Sequence, residues 1–177
     1  MKFKSMALLM LTMAMPAMAD QVIVNTQGVS LILDVEDGQP AKYLYFGSCL
    51  DERDKTNLSV TANGRMDVYP AYGLNTPAEA ALAMRHADGN MSTALVATGY
   101  DSRQEANATV TTIHLKDVVY PVKVDLCYRA YHDVDLIEAW SEITNGEKGT
   151  VTLTTFASAM LPIRKGNVWM SHLSGTW

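Results

Sequence analysis

This 177-residue sequence predicts an all-β chain, an antiparallel β-sandwich that is incomplete at its C-terminal end. Three observations carry that expectation. Residues 122–131 alternate strictly, with Val122, Val124, Leu126, Tyr128 and Ala130 on one side and Lys123, Asp125, Cys127, Arg129 and Tyr131 on the other. A strand points successive side chains to opposite faces, so this period of two buries one row and leaves the other largely to water. Turn chemistry recurs at short intervals, at Glu36-Asp37-Gly38-Gln39, Ala87-Asp88-Gly89 and Asn145-Gly146, which favours hairpins over crossover helices. Finally, the stretch from Phe156 to Trp177 stays apolar and aromatic, where most domain ends turn polar. The polypeptide is therefore expected to continue beyond Trp177.

Taken in order, the chain opens with the features of an export signal. Lys2 and Lys4 precede an apolar run over residues 6–15, Pro16 breaks it, and Ala17-Met18-Ala19 is a small-x-small cleavage site before Asp20. About ten apolar residues are too few to span a bilayer, so residues 1–19 read as a cleaved signal peptide. The expected destination is the periplasm or the exterior of a Gram-negative cell. Residues 20–177 are then one domain, long enough to bury a real core.

Residues 29–35 form a β-branched apolar run, the Glu36–Gln39 turn follows, and residues 41–46 return as the second arm of a hairpin. Residues 51–67 are polar and read as a long loop. Residues 75–83 have a helix-compatible composition, with Thr76-Pro77 resembling a cap and first-turn proline, but loop followed by strand is the preferred reading. A short apolar run over 80–85 ends at the Ala87-Asp88-Gly89 turn. Residues 95–100 and 108–115 are further strands. Residues 135–144 alternate like 122–131, with Ile137, Ala139 and Ile143 opposite Glu138, Trp140 and Glu142. Asn145-Gly146 is read as a tight turn leading into a strand over 151–161.

Charge and motif content narrow the chemistry. The net charge of −5 comes without a basic stripe, which excludes a nucleic-acid partner. After signal cleavage nothing is left that is long and apolar enough to anchor the chain in a membrane. There is no Gly-rich phosphate loop, HExxH or CxxC, and His86, His114, His132 and His172 lack metal-ligand spacing. No cofactor is expected. Cys49 and Cys127 either pair or sit apart as small hydrophobes, and the second is favoured. The carboxylate pairs Asp51/Asp54 and Asp133/Asp135 have the residue types of a glycosidase site, but ordinary turn chemistry explains them better. The aromatics of Tyr69-Pro70-Ala71-Tyr72-Gly73, with Trp169, His172 and Trp177, suit sugar stacking or an interface as well as a buried edge.

Six segments in order carry a resemblance: Tyr45-Phe46-Gly47, Val68 through Gly73, Ala81 through Gly89, Asp135 through Asn145, Ser158 through Pro162, and Trp169 through Trp177. Together they resemble the N-terminal region of the α-galactosidases of glycoside hydrolase family 36. The resemblance implies a supersandwich-type β domain preceding a (β/α)₈ barrel, with a small β domain after it. In that family the barrel supplies an Asp nucleophile and an Asp acid/base, and the sugar's anomeric configuration is retained. Residues 20–177 are too short for a barrel, and no residue here matches either catalytic Asp. The resemblance therefore implies a non-catalytic piece of an enzyme whose substrate is a terminal α-galactoside of an oligosaccharide, bound by the barrel. It also implies a homo-oligomeric parent, since loops of this domain reach a neighbouring subunit's site in tetrameric members. The corresponding stretch is 47–69, which makes Asp51, Asp54 and Arg65 candidate substrate-edge residues. Tyr69, Tyr72, Trp169, His172 and Trp177 are the candidates for a barrel, subunit or substrate-edge contact. A reading from another class is a stand-alone carbohydrate- or protein-binding sandwich.

Overall fold

The computed structural model describes residues 20–56, 58, 66–73, 79–161 and 169. The signal-peptide reading of residues 1–19, the candidates Arg65, His172 and Trp177, and the helix-like stretch at Thr76-Pro77 lie outside them. Among the described residues there are nine strands and one short helix: β1 (Asp20–Asn25), β2 (Val29–Val35), β3 (Lys42–Ser48), α1 (Glu52–Thr56), β4 (Leu82–Arg85), β5 (Leu95–Gln104), β6 (Ala108–Asp117), β7 (Val122–Tyr131), β8 (Ile137–Asn145) and β9 (Thr152–Phe156). They form a three-stranded sheet β1-β2-β3, a four-stranded sheet β5-β6-β7-β8 and a two-stranded sheet β4-β9. Every strand pair is antiparallel.

One hydrophobic cluster joins the two larger sheets face to face. Val22, Val24, Leu31, Leu33 and Val35 come from the first, and Leu95, Ala97, Ile113, Leu115, Val122, Val124, Leu126, Tyr128 and Ala130 from the second. The register explains the selection. Ile113 stands opposite Leu126 and Leu115 opposite Val124, so cross-strand neighbours place their apolar rows on one face. The alternation predicted for residues 122–131 is what the core uses. Residues 137–144 behave likewise, with Ile137, Ala139 and Ile143 packing against the cluster.

Turns then lock the sheets together. Gly38 takes φ +75°, a left-handed conformation that favours glycine. Its amide donates to the Ala97 carbonyl at 2.9 Å, and the Ala97 amide donates to Gln39 at 2.8 Å, so the β2–β3 turn is stitched onto β5. At the other end Asp135 Oδ1 accepts from the Gly28 amide at 2.6 Å and from Thr26 Oγ1 at 2.9 Å, tying the β1–β2 turn to the β7–β8 turn. A Cβ on Gly28 would lie 2.6 Å from Asp135 Oδ2, so glycine is needed there for close approach. Replacing Asp135 with alanine removes both bonds at a site open to water and is expected to cost about 0.5–1 kcal/mol by urea unfolding. Replacement with asparagine, which keeps an acceptor oxygen, should cost less than half of that.

Besides the last strand, which spans Thr152–Phe156 rather than residues 151–161, two sequence expectations need correction. The 51–67 stretch is not all loop, because residues 52–56 close one helical turn, with the Asp51 carbonyl accepting from the amides of Asp54 and Lys55. The second correction concerns the tight turn at Asn145-Gly146. Gly146 has no positive φ, its amide is held by the Pro121 carbonyl at 2.8 Å, and β9 pairs with β4 rather than folding back on β8. On the way Glu147 binds the β4–β5 turn, its carboxylate accepting from the Ala87 amide and bonding His86. Gly149 packs so close to Ala87 that a Cβ there would lie 2.6 Å from the alanine methyl. The connection is drawn across to the β4 turn and delivers β9 to that strand.

Candidate functional site

The Tyr69–Gly73 loop is held by the start of β4 and by the β4–β5 turn. The Pro70 carbonyl accepts from the Ala81 amide at 2.7 Å, the Tyr72 amide donates to Leu82 at 2.8 Å, and the Thr93 amide donates to Tyr72 at 2.9 Å. Gly73 adopts φ +100°, and a Cβ there would lie 2.6 Å from Ser92 Cα, so the loop presses backbone on backbone. Its two tyrosines part ways. Tyr69 is buried, with its hydroxyl 2.8 Å from the Ala157 carbonyl and 3.2 Å from Ser141 Oγ. Burial pushes its phenol pKa up, as expected for a neutral donor in a dry setting. Tyr72 is 51 % exposed and Trp169 is 94 % exposed. Tyr69 thus anchors the loop that presents Tyr72.

Another pair of tyrosines, the partly buried Tyr43 and the buried Tyr128, bridges the sheets. Tyr43 of β3 donates to the Met160 carbonyl, and the Tyr43 phenol is raised to about 12 by burial, opposed by its bond with Tyr128. Both phenols stay protonated across the physiological range and act as donors.

The carboxylate pairs do not assemble into a site. Asp51 and Asp54 are exposed beside α1, and Asp133 is exposed in the β7–β8 turn. Asp135 is committed to Thr26 and Gly28 as described. Cys49 is exposed and Cys127 buried, each a free thiol. Among the described residues no group of three or more His, Cys, Asp or Glu side chains is placed to hold a metal ion, and no helix is long and apolar enough to cross a membrane.

The most ordered polar constellation lies elsewhere, around His86. Its Nδ1 is 2.8 Å from Glu147 Oε1, its Nε2 is 3.0 Å from Thr93 Oγ1, and its ring stacks on Tyr120 at 3.5 Å with an interplanar angle of 9°. The Ala87 amide donates to the other Glu147 oxygen at 3.0 Å, and the Tyr120 hydroxyl donates to Asp88 at 2.9 Å. These bonds hold the Glu147 and Asp88 carboxyls below their ordinary values, with the backbone bonds from Ala87 and Asn90 the leading causes. Hydroxyl, imidazole and carboxylate in line have the order of a nucleophilic triad. Thr93 is only 1 % exposed, however, so its hydroxyl cannot meet a substrate. The constellation is a pin that joins the β4–β5 turn, the β6–β7 turn and the β8–β9 connection. Sequence reading singled out the Arg85-His86-Ala87-Asp88-Gly89 motif but not its partners, because Glu147 lies 61 positions away.

The outer face of the four-stranded sheet carries a second polar network. Arg129 pairs with Glu138 at 2.9 Å and Glu105 at 3.3 Å and lies 5.2 Å from the Trp140 ring centroid. His114 sits between Asp101 and Asp125.

The described residues thus define an antiparallel sandwich whose buried polar side chains tie loops to the sheets. The profile of the glycosyl hydrolase family 36 N-terminal domain matches residues 39–177, and the chain belongs to that family. No curated protein matches it. Among solved structures it is similar to an α-galactosidase from Lactobacillus brevis, with TM-score 0.65 and 17 % identity over 80 % of this chain and 23 % of that one. The galactosidase domain of an α-galactosidase–sucrose kinase gives TM-score 0.67 and 20 % identity over 77 % of this chain and 24 % of that one. A family 36 α-galactosidase from Geobacillus stearothermophilus, solved in complex with stachyose, gives 0.66 and 18 % over 79 % and 24 %. At these identities the likeness establishes the shared fold. The chain spans about a quarter of the length of each of these proteins.

Proposed function

We propose that this chain is the non-catalytic N-terminal sandwich of an exported α-galactosidase-like glycoside hydrolase. The parent removes terminal α-linked galactose from oligosaccharides with retention and without a cofactor, in the periplasm or outside the cell. The match of the family profile over residues 39–177 carries this reading. The α-galactosidase titles of the solved relatives support the substrate class, and the Lys2-to-Ala19 leader pattern supports export. The domain's role is to hold the Tyr69–Gly73 loop in place against the barrel or a neighbouring subunit, with Trp169 a further contact residue.

The parent enzyme tests the mechanism. Hydrolysis of an aryl α-galactoside followed by proton NMR should release α-galactose before mutarotation, whereas β-galactose first would overturn retention. Asp51→Asn and Asp54→Asn in the parent test the substrate-edge role. Unchanged turnover and affinity on raffinose-type substrates would remove both residues from it. The exposure of Tyr72 and Trp169 also favours a carbohydrate-binding module as a second reading, and clear binding of the chain on a glycan array would select it.

A further inference from the structure

His114 lies on the outer face of the four-stranded sheet, away from the core, and both of its ring nitrogens face carboxylates. Nδ1 is 2.7 Å from Asp125 Oδ1 on β7, and Nε2 is 2.8 Å from Asp101 Oδ2 on β5. A neutral imidazole has one N–H and one lone pair, and an ionised carboxylate only accepts. Both contacts are satisfied together only by the imidazolium ion, which donates from each nitrogen. One side chain on β6 then ties three strands across the face.

Among the described residues the strand tied at the edge has a partner on one side alone, β6. Its ladder is interrupted by a bulge at Thr98 and then resumes from Gly99, at φ +134° and opposite His114, to Gln104 opposite Thr109. A bulge leaves a residue unpaired and disrupts the local ladder. Beyond it the side chains of Asp101 to Gln104 are exposed. Besides this backbone ladder, side chains tie the segment to β6 through the His114 bond, the Ser102–Thr111 hydroxyl contact at 2.9 Å and the Thr109–Gln104 contact at 3.1 Å.

We propose that His114 is an acid-locked clamp: as the imidazolium it pins Asp101 of the edge strand to the sheet, and its deprotonation releases Asp101 and lets residues 99–104 open locally. Asp101 rather than Asp125 is the partner released, because its side chain is 63 % exposed against 39 % for Asp125 and it belongs to the edge strand. The charged groups facing the clamp fix the sign. Asp101 and Arg103 come from β5, Lys116 from β6, Lys123, Asp125 and Arg129 from β7, and Glu138 and Glu142 from β8. Arg129 is committed to Glu105 and Glu138 and Arg103 to Glu105, and the two carboxylates in direct contact with the ring, Asp101 and Asp125, set the sign.

The bond to Asp125 is the first cause that raises the His114 pKa above 6.5, with partial burial opposing it and Asp101 adding to it. A group raised on folding contributes stability that is fully present below its unfolded value and is lost as pH rises through its folded value. The clamp is therefore closed at acidic pH and opens on the alkaline side of 6.5. Opening frees the backbone groups of an edge strand, the part of a sheet most prone to pair with another chain.

NMR on the intact chain tests this. The His114 ring signals should titrate above 6.5, and Asp101→Asn should lower that midpoint. Amide exchange at residues 99–104, corrected for its intrinsic base catalysis, should accelerate through the same pH range, about tenfold for each unit by which the folded pKa exceeds the unfolded one. In His114→Gln the corrected exchange should not change over that range. His114 titrating at or below 6.5, or the same corrected exchange profile in wild type and His114→Gln, would overturn the proposal. Should His114→Gln not fold, the Asp101→Asn comparison decides: an unchanged midpoint and exchange profile overturns it.

Discussion

Replacing His86 with alanine is expected to lower the unfolding free energy by about 3–4 kcal/mol, measured by urea denaturation. The ring is completely buried, fills the space under Tyr120, and bonds Thr93 and Glu147 at once. Its loss opens a cavity and leaves two buried partners unsatisfied, each with a desolvation penalty. The damage should reach three connections together, so one cooperative transition should move, not a local one. Acid dependence supplies a second readout. Glu147 is held below its ordinary value of 4.5 by the Ala87 amide first and by His86 next. A lowered carboxylate stabilises above its unfolded pKa and loses that contribution as pH falls through the folded value. Glu147→Gln should therefore flatten the acid limb of the stability profile while shifting the neutral-pH midpoint less than His86→Ala does.

Replacing Leu126 with alanine is expected to cost about 3 kcal/mol, whereas Lys123→Ala, three positions away on the other face, should stay within about 0.5 kcal/mol. Leu126 stands opposite Ile113 in the centre of the cluster, and Lys123 is exposed. Equal costs would mean that β7 does not present the face described. An intermediate value for Leu126→Val would show the cost growing with the volume removed, as cavity formation requires.

β7 also shows what local sequence carries. Its alternation is a property of ten consecutive residues, and the face it predicts is the face that is buried. The β2–β3 turn is legible for the same reason, since Asp37-Gly38 provides a glycine where φ is positive. Strand pairing at long range is different. Nothing near Thr152 announces that β9 will join β4, because that pairing, like the contact of Glu147 with His86, joins positions far apart in the chain, and pair contacts of that separation leave no periodic trace. The outer-face network sits between these cases. Asp125, Arg129, Glu138, Trp140 and Glu142 fall on the polar rows of the alternation, but only the register, with Arg129 opposite Glu138 and His114 opposite Asp125, turns those rows into ion pairs. Tyr69 and Tyr72 are three residues apart, and residue type alone could not separate the anchor from the exposed ring. What separates them is the Ala157 carbonyl and Ser141 hydroxyl waiting above Tyr69.

Under the proposed function the sandwich holds and presents loops while the parent's barrel performs the glycoside chemistry. Galactose release from an aryl α-galactoside and from raffinose by the purified chain is the measurement that decides it. No release above buffer is expected at any chain concentration. Release that rises in proportion to chain concentration and survives repurification would contradict it.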